Sequence, residues 1–211
     1  MGKTTLTAWL ACHLRGKSVS VAALKPICSG GREDGRVLHR AQRGSLTLDQ
    51  VNPWHFRAPI APLLAARNEG KRVSLPAVVR HVHAISERFQ TVIVEGAGGL
   101  LSPLGEDFST RELISALGGK VIVVARNQLG VVNHVRLTLE ALPRPIAARA
   151  TVALMSPKRS DPGTRTNSTL LRELVGRRPV CVFPRFSRII DYNRTAAMPQ
   201  VRAALDALLN F

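Results

Sequence analysis

The sequence predicts an α/β fold in which a doubly wound, mostly parallel sheet carries helices on both faces. Short apolar runs rich in valine and isoleucine recur along the chain, and continuous runs of this length indicate strands covered on both faces. Segments with apolar residues at helical spacing alternate with these runs, which is typical of an open α/β sheet. Glycine or proline stands where elements meet, as at Gly118-Gly119 and Pro143.

The element boundaries follow from the same two periodicities. The predicted strands cover residues 19–24, 91–94, 121–125, 151–154 and 180–183. The predicted helices cover residues 4–14, 35–43, 75–89, 110–117, 131–142, 166–175 and 198–209. Segment 52–59, which contains Pro53 and Pro59, is predicted to be a loop. Because the sequence shows no internal repeat, linker or low-complexity tract, residues 1–211 are predicted to form a single domain.

The composition is that of a globular protein. The 211 residues are 45% hydrophobic and 21% charged, which suits a domain with one buried core. No apolar run approaches the roughly 20 residues that cross a membrane, so we expect no membrane partner. The three widely spaced cysteines, Cys12, Cys28 and Cys181, favour a reducing compartment over a disulfide framework. We therefore expect a cytoplasmic protein.

The formal net charge of +16 raises the alternative of a basic protein that binds nucleic acid. The basic residues are scattered rather than gathered in a tail, and aromatic residues make up only 4% of the chain. Stacking platforms for single strands are therefore scarce, and we expect no nucleic-acid partner. Strong, salt-dependent DNA binding would favour the alternative.

The first motif, Gly2-Lys3-Thr4-Thr5, opens the first predicted helix and matches the end of a phosphate-binding loop. In a complete loop the backbone N–H groups hold phosphate, the lysine reaches the β and γ oxygens, and the hydroxyl binds Mg²⁺. A match this short also occurs by chance at ordinary helix N-termini. Taken alone, the motif favours ordinary capping.

Two further motifs stand at the carboxyl ends of predicted strands, where open α/β sheets bind ligands. Lys25 and Ser29 follow the first strand, and a solvated lysine in a turn is an equally good interpretation there. Glu95 follows the second strand and precedes the turn Gly96-Ala97-Gly98-Gly99. A carboxylate that ends a buried strand is costly without a partner, which favours a functional role such as holding Mg²⁺.

Taken in order, these motifs resemble those of the dethiobiotin synthetase family. The match also uses Asn52-Pro53 and segments 58–62 and 127–134, and it becomes looser between residues 151 and 186. The resemblance implies a P-loop NTPase-like fold and an ATP- and Mg²⁺-dependent cyclo-ligase that works as a homodimer. That family carboxylates the diamine 7,8-diaminononanoate with CO₂ and closes the ring, which gives dethiobiotin, ADP and phosphate in biotin biosynthesis.

The resemblance also implies a role for each matching residue. The nucleotide would be bound by the first motif, Gly2, Lys3, Thr4 and Thr5. Mg²⁺ would be held by Thr4, Asp34 and Glu95, with Glu33 as a possible substitute for Asp34. The catalytic residues would be Lys25 and Lys3, which stabilise the carbamate and the nucleotide phosphates. The substrate would be bound by Ser29, Gly96, Ala97, Gly98, Gly99, Leu129 and Asn133, the last two across the dimer interface.

The chain departs from the family pattern in two places. It has Met155-Ser156-Pro157-Lys158 where the family often carries the Asn-Asp pair that reads the purine, so the resemblance predicts no base preference. In addition, Gly2 is already late in the phosphate-binding loop, and a P-loop follows a strand. We therefore expect the first strand to be missing because the start was assigned too late, and the chain as written to bind ATP poorly.

Another P-loop relative remains an alternative at this point, either an ATPase like those of chromosome partitioning or a cobyrinate-type amidoligase. The residues that discriminate are Lys25-Pro26 followed by Ser29. A pure ATPase switch has no need of a second lysine beside a carbamate. The motif therefore favours the ligase.

Overall fold

The computed structural model describes residues 2–157, 162–185 and 191–210. Lys158, the last residue of the segment Met155-Ser156-Pro157-Lys158, lies outside these ranges. The chain divides into two compact units. The first, called here the N-terminal unit, is Thr4–Leu117, and the second, the C-terminal unit, combines Met1–Lys3 with Gly118–Phe211.

The N-terminal unit contains two pairs of parallel strands. Its strands are β1 (Val21–Leu24), β2 (Ile27–Ser29), β3 (Trp54–Phe56) and β4 (Thr91–Val94). Its helices are α1 (Lys3–Gly16, from Thr4 onward), α2 (Glu33–Ala41), α3 (Leu48–Val51), α4 (Pro62–Asn68), α5 (Leu75–Ser86) and α6 (Thr110–Leu117). Strand β1 pairs with β4, and β2 pairs with β3. A core cluster that includes Phe56, Val78, Leu104 and Phe108 lies under these elements.

The C-terminal unit contains a parallel sheet with the strand order β5-β6-β7. The strands are β5 (Ile122–Arg126), β6 (Thr151–Met155) and β7 (Val180–Phe183). The helices are α7 (Val131–Ala141), α8 (Arg144–Ala148), α9 (Pro162–Leu174), α10 (Tyr192–Ala196) and α11 (Pro199–Leu209). The central strand β6 is buried along its whole length, as expected for a strand with neighbours on both edges.

The predicted fold class is confirmed: parallel strands alternate with helices, and each predicted strand and helix is present with its ends displaced by a few residues. One prediction is wrong. Segment 52–59 is not all loop, because residues Trp54–Phe56 form β3 beside β2. The prolines flank this short strand and do not interrupt it, so all three of its residues can pair with β2.

Strand β4 also differs from the expectation that every strand is covered on both faces. All four residues of β1 are buried, whereas all four residues of β4 are only half-buried. Among the described strands, β1 is the one that pairs with β4. The other edge of β4 therefore has no hydrogen-bonded strand beside it among these strands. The valine-rich composition alone could not distinguish these two environments.

Two expectations from composition can be compared with the structure. All three cysteines are free thiols and are buried, as expected for a chain without a disulfide framework. None of the helices within residues 2–157, 162–185 and 191–210 combines the length and the hydropathy of a transmembrane segment.

Candidate functional site

The register of β1 and β4 brings Lys25 and Glu95 together. The parallel pairing sets Leu24 opposite Val94, so the residue after each strand is Lys25 on one side and Glu95 on the other. The backbone N–H of Glu95 donates to the Leu24 carbonyl at 2.8 Å, which extends the pairing by one step. Both side chains therefore leave the sheet at the same edge, where parallel strands end.

The Lys25 ammonium is buried among oxygen atoms. Its Nζ lies 2.8 Å from Glu95 Oε1, 3.1 Å from the Gly96 carbonyl oxygen and 3.2 Å from Asp34 Oδ2. Lys25 is 3% exposed and Glu95 is 4% exposed, whereas half of the Asp34 side chain remains open to solvent. A buried charge pair of this kind persists only with good geometry and further hydrogen bonds, and both are present. The solvated-turn interpretation of Lys25 is therefore wrong.

Thr4 joins the same cluster from the start of α1. Its Oγ1 donates to Glu95 Oε1 at 2.8 Å, so this single oxygen serves both the hydroxyl and the Lys25 ammonium. The first turn of a helix presents backbone N–H groups without helical partners, which favours an anion nearby. Lys25 is therefore close to the N-terminus of α1, as its predicted role requires.

The acidic residue of α2 that faces Lys25 is Asp34. Glu33 points elsewhere, with its carboxylate 3.1 Å from Arg40 and 3.6 Å from Arg36, and most of its side chain is exposed. Because Glu33 and Asp34 are adjacent in a helix, they point about 100° apart, and only one of them can reach Lys25. The structure thus favours Asp34 over Glu33 as the acidic member of the cluster.

The oxygen atoms of this cluster suit a hard divalent cation. Mg²⁺ is usually bound through one or two carboxylates together with water and phosphate oxygens, and Thr4, Asp34 and Glu95 supply a hydroxyl and two carboxylates. Glu95 Oε2 is buried and accepts no hydrogen bond from the described residues, so one ligand atom is available. No trio of His, Cys, Asp or Glu suited to a metal occurs in the described ranges.

The glycine-rich turn after β4 is held by its own side-chain contacts. Gly98 adopts φ +70°, and a Cβ there would lie 2.8 Å from Ser102 Cβ, so a larger residue would be strained. The Gly99 N–H donates to Ser102 Oγ at 2.7 Å, so in this structure it is not offered to a substrate. Gly96 turns its carbonyl oxygen toward Lys25, and Ala97 is buried in the core cluster.

The other predicted site residues of the first two motifs are Gly2, Lys3, Thr5 and Ser29. Gly2 and Lys3 immediately precede Thr4, and Gly2, Lys3 and Thr5 are all half-buried. The Ser29 hydroxyl donates to the Ile60 carbonyl at 2.6 Å.

Leu129 and Asn133 belong to the C-terminal unit, where both are exposed around the N-terminus of α7. Two buried amides that the sequence did not single out support this turn. Asn167 Nδ2 donates to Asn127 Oδ1 at 2.9 Å and to the Gln128 carbonyl at 3.2 Å. Asn127 Nδ2 in turn donates to the Thr164 carbonyl at 2.9 Å. These bonds fix the segment from which Leu129 projects.

Sequence reasoning also missed the part played by Asn52. Its only signal was its place in the Asn52-Pro53 match, yet the structure buries it completely beside Lys25. A buried amide needs hydrogen-bond partners, and their identity depends on which backbone atoms lie close by. That information is not present in a single sequence.

Glu112 caps the start of α6 through hydrogen bonds with Ser109, and its substitution gives a testable effect. Its carboxylate accepts from the Ser109 hydroxyl at 2.6 Å and from the Ser109 N–H at 2.8 Å. The Ser109 hydroxyl, followed by the Ser109 backbone N–H, lowers the pKa of Glu112 to about 2. The hydrogen bonds between Ser109 and Glu112 lie next to Leu100, whose carbonyl accepts from the Arg111 N–H.

We expect Glu112→Gln to destabilise the protein by about 1 kcal/mol at pH 7, since solvent screens this partly exposed cap. A lowered pKa means that the stabilisation is complete above the ordinary value of 4.5 and is lost as the pH falls toward about 2. Urea unfolding at several pH values measures the difference between wild type and variant. Glu173→Gln, on the exposed side of α9, is the control. A difference that stays constant down to pH 2 would contradict the assignment.

Comparisons with known proteins identify the family of this chain. A family model described as "AAA domain" matches residues 1–191. The ATP-dependent dethiobiotin synthetase BioD of Anaeromyxobacter sp. (strain Fw109-5) is 40% identical over 185 residues, which covers 85% of this chain and 83% of the relative. The protein of the same name from Bacillus subtilis (strain 168) is 34% identical, which covers 90% of this chain and 84% of the relative.

Among solved structures, the MinC:MinD cell division protein complex of Aquifex aeolicus matches with a TM-score of 0.62. The match covers 99% of this chain and 89% of that chain at 13% sequence identity, so it shows a shared fold alone. The relatives with the higher identity instead share one name. The chain therefore belongs to the ATP-dependent dethiobiotin synthetase family.

Proposed function

We propose that this protein carboxylates 7,8-diaminononanoate with CO₂ at the expense of ATP and closes the ring, which yields dethiobiotin, ADP and phosphate. The observation that carries the proposal is the buried Lys25 ammonium, which shares Glu95 with Thr4 at the start of α1. A reaction that gathers a carbamate and a phosphoryl group needs cationic and N–H groups fixed at one point. The relatives' shared name supports the same activity.

Nucleotide binding is assigned to the start of α1. Gly2, Lys3, Thr4 and Thr5 provide one ammonium, two hydroxyls and backbone N–H groups at a helix N-terminus, a setting that favours phosphate. Lys3 neutralises the phosphate charge, and the N–H groups orient the oxygens. The sequence supplies no further base-reading motif, since Met155 and Ser156 stand where the family often has an amide and a carboxylate.

Mg²⁺ is assigned to Thr4, Asp34 and Glu95, whose oxygen atoms lie around Lys25. The buried Glu95 Oε2, which accepts no hydrogen bond from the described residues, supports this assignment. When bound, Mg²⁺ supplies positive charge to the phosphate oxygens. The protein's own part is to hold three oxygen ligands of the hard type that this ion prefers.

Lys25 is assigned to the reacting groups. One amine of the substrate adds to CO₂ and loses a proton to form a carbamate, and a carbamate oxygen then takes the γ-phosphoryl group as the bond to ADP breaks. The second amine attacks the carbamate carbon, the carbon–oxygen bond to phosphate breaks, and the amine proton leaves to solvent. The Lys25 ammonium offsets the negative charge that accumulates on these oxygens.

Substrate binding and assembly complete the proposal. The glycine-rich turn Gly96–Gly99, whose Gly96 carbonyl accepts from the Lys25 ammonium, and Ser29, which follows Lys25 in sequence, are assigned to the substrate. Leu129 is 85% exposed and so is accessible to a second copy, and Leu129 and Asn133 are assigned to the second copy's substrate in a homodimer. A cytoplasmic location fits the free thiols. The ATPase and amidoligase alternatives are not favoured, since the relatives described above are named synthetases.

The test is an assay for ADP release that requires both diaminononanoate and bicarbonate. The protein is assayed as the 211-residue chain and with the in-frame codons upstream of Met1 included. We expect ADP release to depend on both substrates, and dethiobiotin to form in equal amount by mass spectrometry. ADP release that ignores the diamine would support a simple ATPase and contradict the proposal.

A further inference from the structure

Asn52 has a completely buried side-chain amide that is hydrogen-bonded to the backbone of Lys25. Its Nδ2 donates to the Lys25 carbonyl at 2.7 Å, and the Lys25 N–H donates to the neighbouring Val51 carbonyl at 2.9 Å. Asn52 is 0% exposed and follows the short helix α3. Both backbone hydrogen-bonding groups of Lys25 are thus held by two successive residues from a distant part of the chain.

The other end of the same amide holds the segment that leads to Asp34. Asn52 Oδ1 lies 3.2 Å from the Cys28 thiol and accepts from Arg32 Nε at 3.3 Å. Arg32 Nη2 donates to the carbonyls of Asn52 and Leu48, each at 2.9 Å. Because Arg32 immediately precedes α2, these bonds fix the start of the helix that carries Asp34.

The close packing of α2 against Asn52 depends on a glycine. A Cβ at Gly35 would lie only 2.8 Å from Asn52 Cβ, so α2 can approach this closely because residue 35 is glycine. The amide therefore joins Lys25, Cys28 and Arg32 in one rigid set of bonds. The two ends of this set carry the ammonium and the carboxylate that meet at 3.2 Å.

We propose that Asn52 is the positioning residue that sets the Lys25 ammonium relative to Asp34 and Glu95 for phosphoryl transfer. The proposal rests on the proposed function, because it assigns the reaction that Lys25 serves. Asn52 acts through Lys25 and does not touch the reacting atoms. Small displacements of a group that stabilises charge lower the rate while leaving ground-state binding almost intact.

Three variants test this role. Asn52→Leu keeps the volume and removes both hydrogen-bonding ends, so we expect kcat to fall about tenfold with KM for ATP within about twofold of wild type. Asn52→Asp keeps an acceptor for Cys28 and Arg32 but sets a carboxylate oxygen against the Lys25 carbonyl, so kcat falls similarly. Gln42→Leu is the matched control, because Gln42 is 1% exposed and bonds both backbone groups of Ala23, two residues before Lys25.

Cys28 supplies a readout that needs no substrate. Burial raises the pKa of this thiol, so it reacts slowly with iodoacetamide in the folded protein. We expect Asn52→Leu to speed Cys28 alkylation about tenfold, with Asn52→Asp and Gln42→Leu within about twofold of wild type. Mass spectrometry resolves each site, and the buried Cys12 and Cys181 report any general loosening of the fold.

The outcomes separate this inference from the proposed function. A kcat of Asn52→Leu equal to wild type, or an equal fall in Gln42→Leu, would overturn the positioning role. Unchanged Cys28 labelling in Asn52→Leu would show that the amide does not hold this segment. The wild-type protein could lack diamine-dependent ADP release while Cys28 labelling still depends on Asn52. That result would contradict the proposed function but would leave intact the conclusion that Asn52 holds the segment.

Discussion

Lys25→Ala is expected to lower turnover by about 10²-fold or more, which is typical of losing one preorganised charge from a site where charge develops. The ammonium is 3% exposed and fixed by three oxygen atoms, so it needs no reorganisation when the phosphoryl group moves. Nucleotide affinity should change less, since Lys3 and the N-terminus of α1 remain. Steady-state ADP release with diamine and bicarbonate measures turnover, and equilibrium dialysis measures ATP affinity.

The control for this variant is Lys71→Ala. Lys71 is also paired with a carboxylate, Glu69 at 2.9 Å, but 58% of its side chain is exposed. Its removal should leave turnover near the wild-type value. Turnover of Lys25→Ala within a few-fold of wild type, in protein shown to be folded, would remove Lys25 from the mechanism.

Lys25→Met is expected to lower the free energy of unfolding by about 3–5 kcal/mol, because it leaves the buried Glu95 carboxylate without its counter-charge. The Lys25–Glu95 pair is far more buried than an ordinary ion pair, with side-chain exposures of 4% and 2%. After the substitution, the Thr4 hydroxyl still donates to Glu95 Oε1, but it supplies no positive charge. Urea unfolding at pH 7 measures the change.

The double variant Lys25→Met/Glu95→Gln makes this prediction specific. It removes both charges, so we expect it to be more stable than Lys25→Met alone. Arg67→Met is the control, since solvent screens its exposed ion pair with Glu106 and the substitution should change stability little. A double variant that loses the full sum of the two single losses would mean that the two side chains are not coupled.

The sequence was sufficient to place Lys25 and Glu95 at the carboxyl ends of two predicted strands. Both follow a short apolar run, and parallel strands end at a common edge, so pattern alone brought them to one edge of a sheet. The side-by-side arrangement additionally required the register of β1 and β4, which the structure supplies. The periodic patterns likewise located the helices to within a few residues.

The failures have physical causes of their own. Strand β3 was missed because three residues are too few for an alternating pattern to stand out between two prolines. The prediction of Asp34, with Glu33 as a possible substitute, was not a failure, but deciding between the two required the rotation of α2, because adjacent helical residues point about 100° apart. The Gly99 N–H donates within its own turn, and the Ser29 hydroxyl donates to the Ile60 carbonyl of a distant segment; composition reveals neither partner.

The sharing of Glu95 Oε1 has a thermodynamic consequence. Whatever draws the Thr4 hydroxyl toward a new ligand takes a donor away from this oxygen and so strengthens its hold on the Lys25 ammonium. Conversely, an anion that attracts the ammonium frees the oxygen for the hydroxyl. Occupancy at the two ends is therefore linked through one atom, and linkage requires that each ligand alter the other's affinity by the same factor.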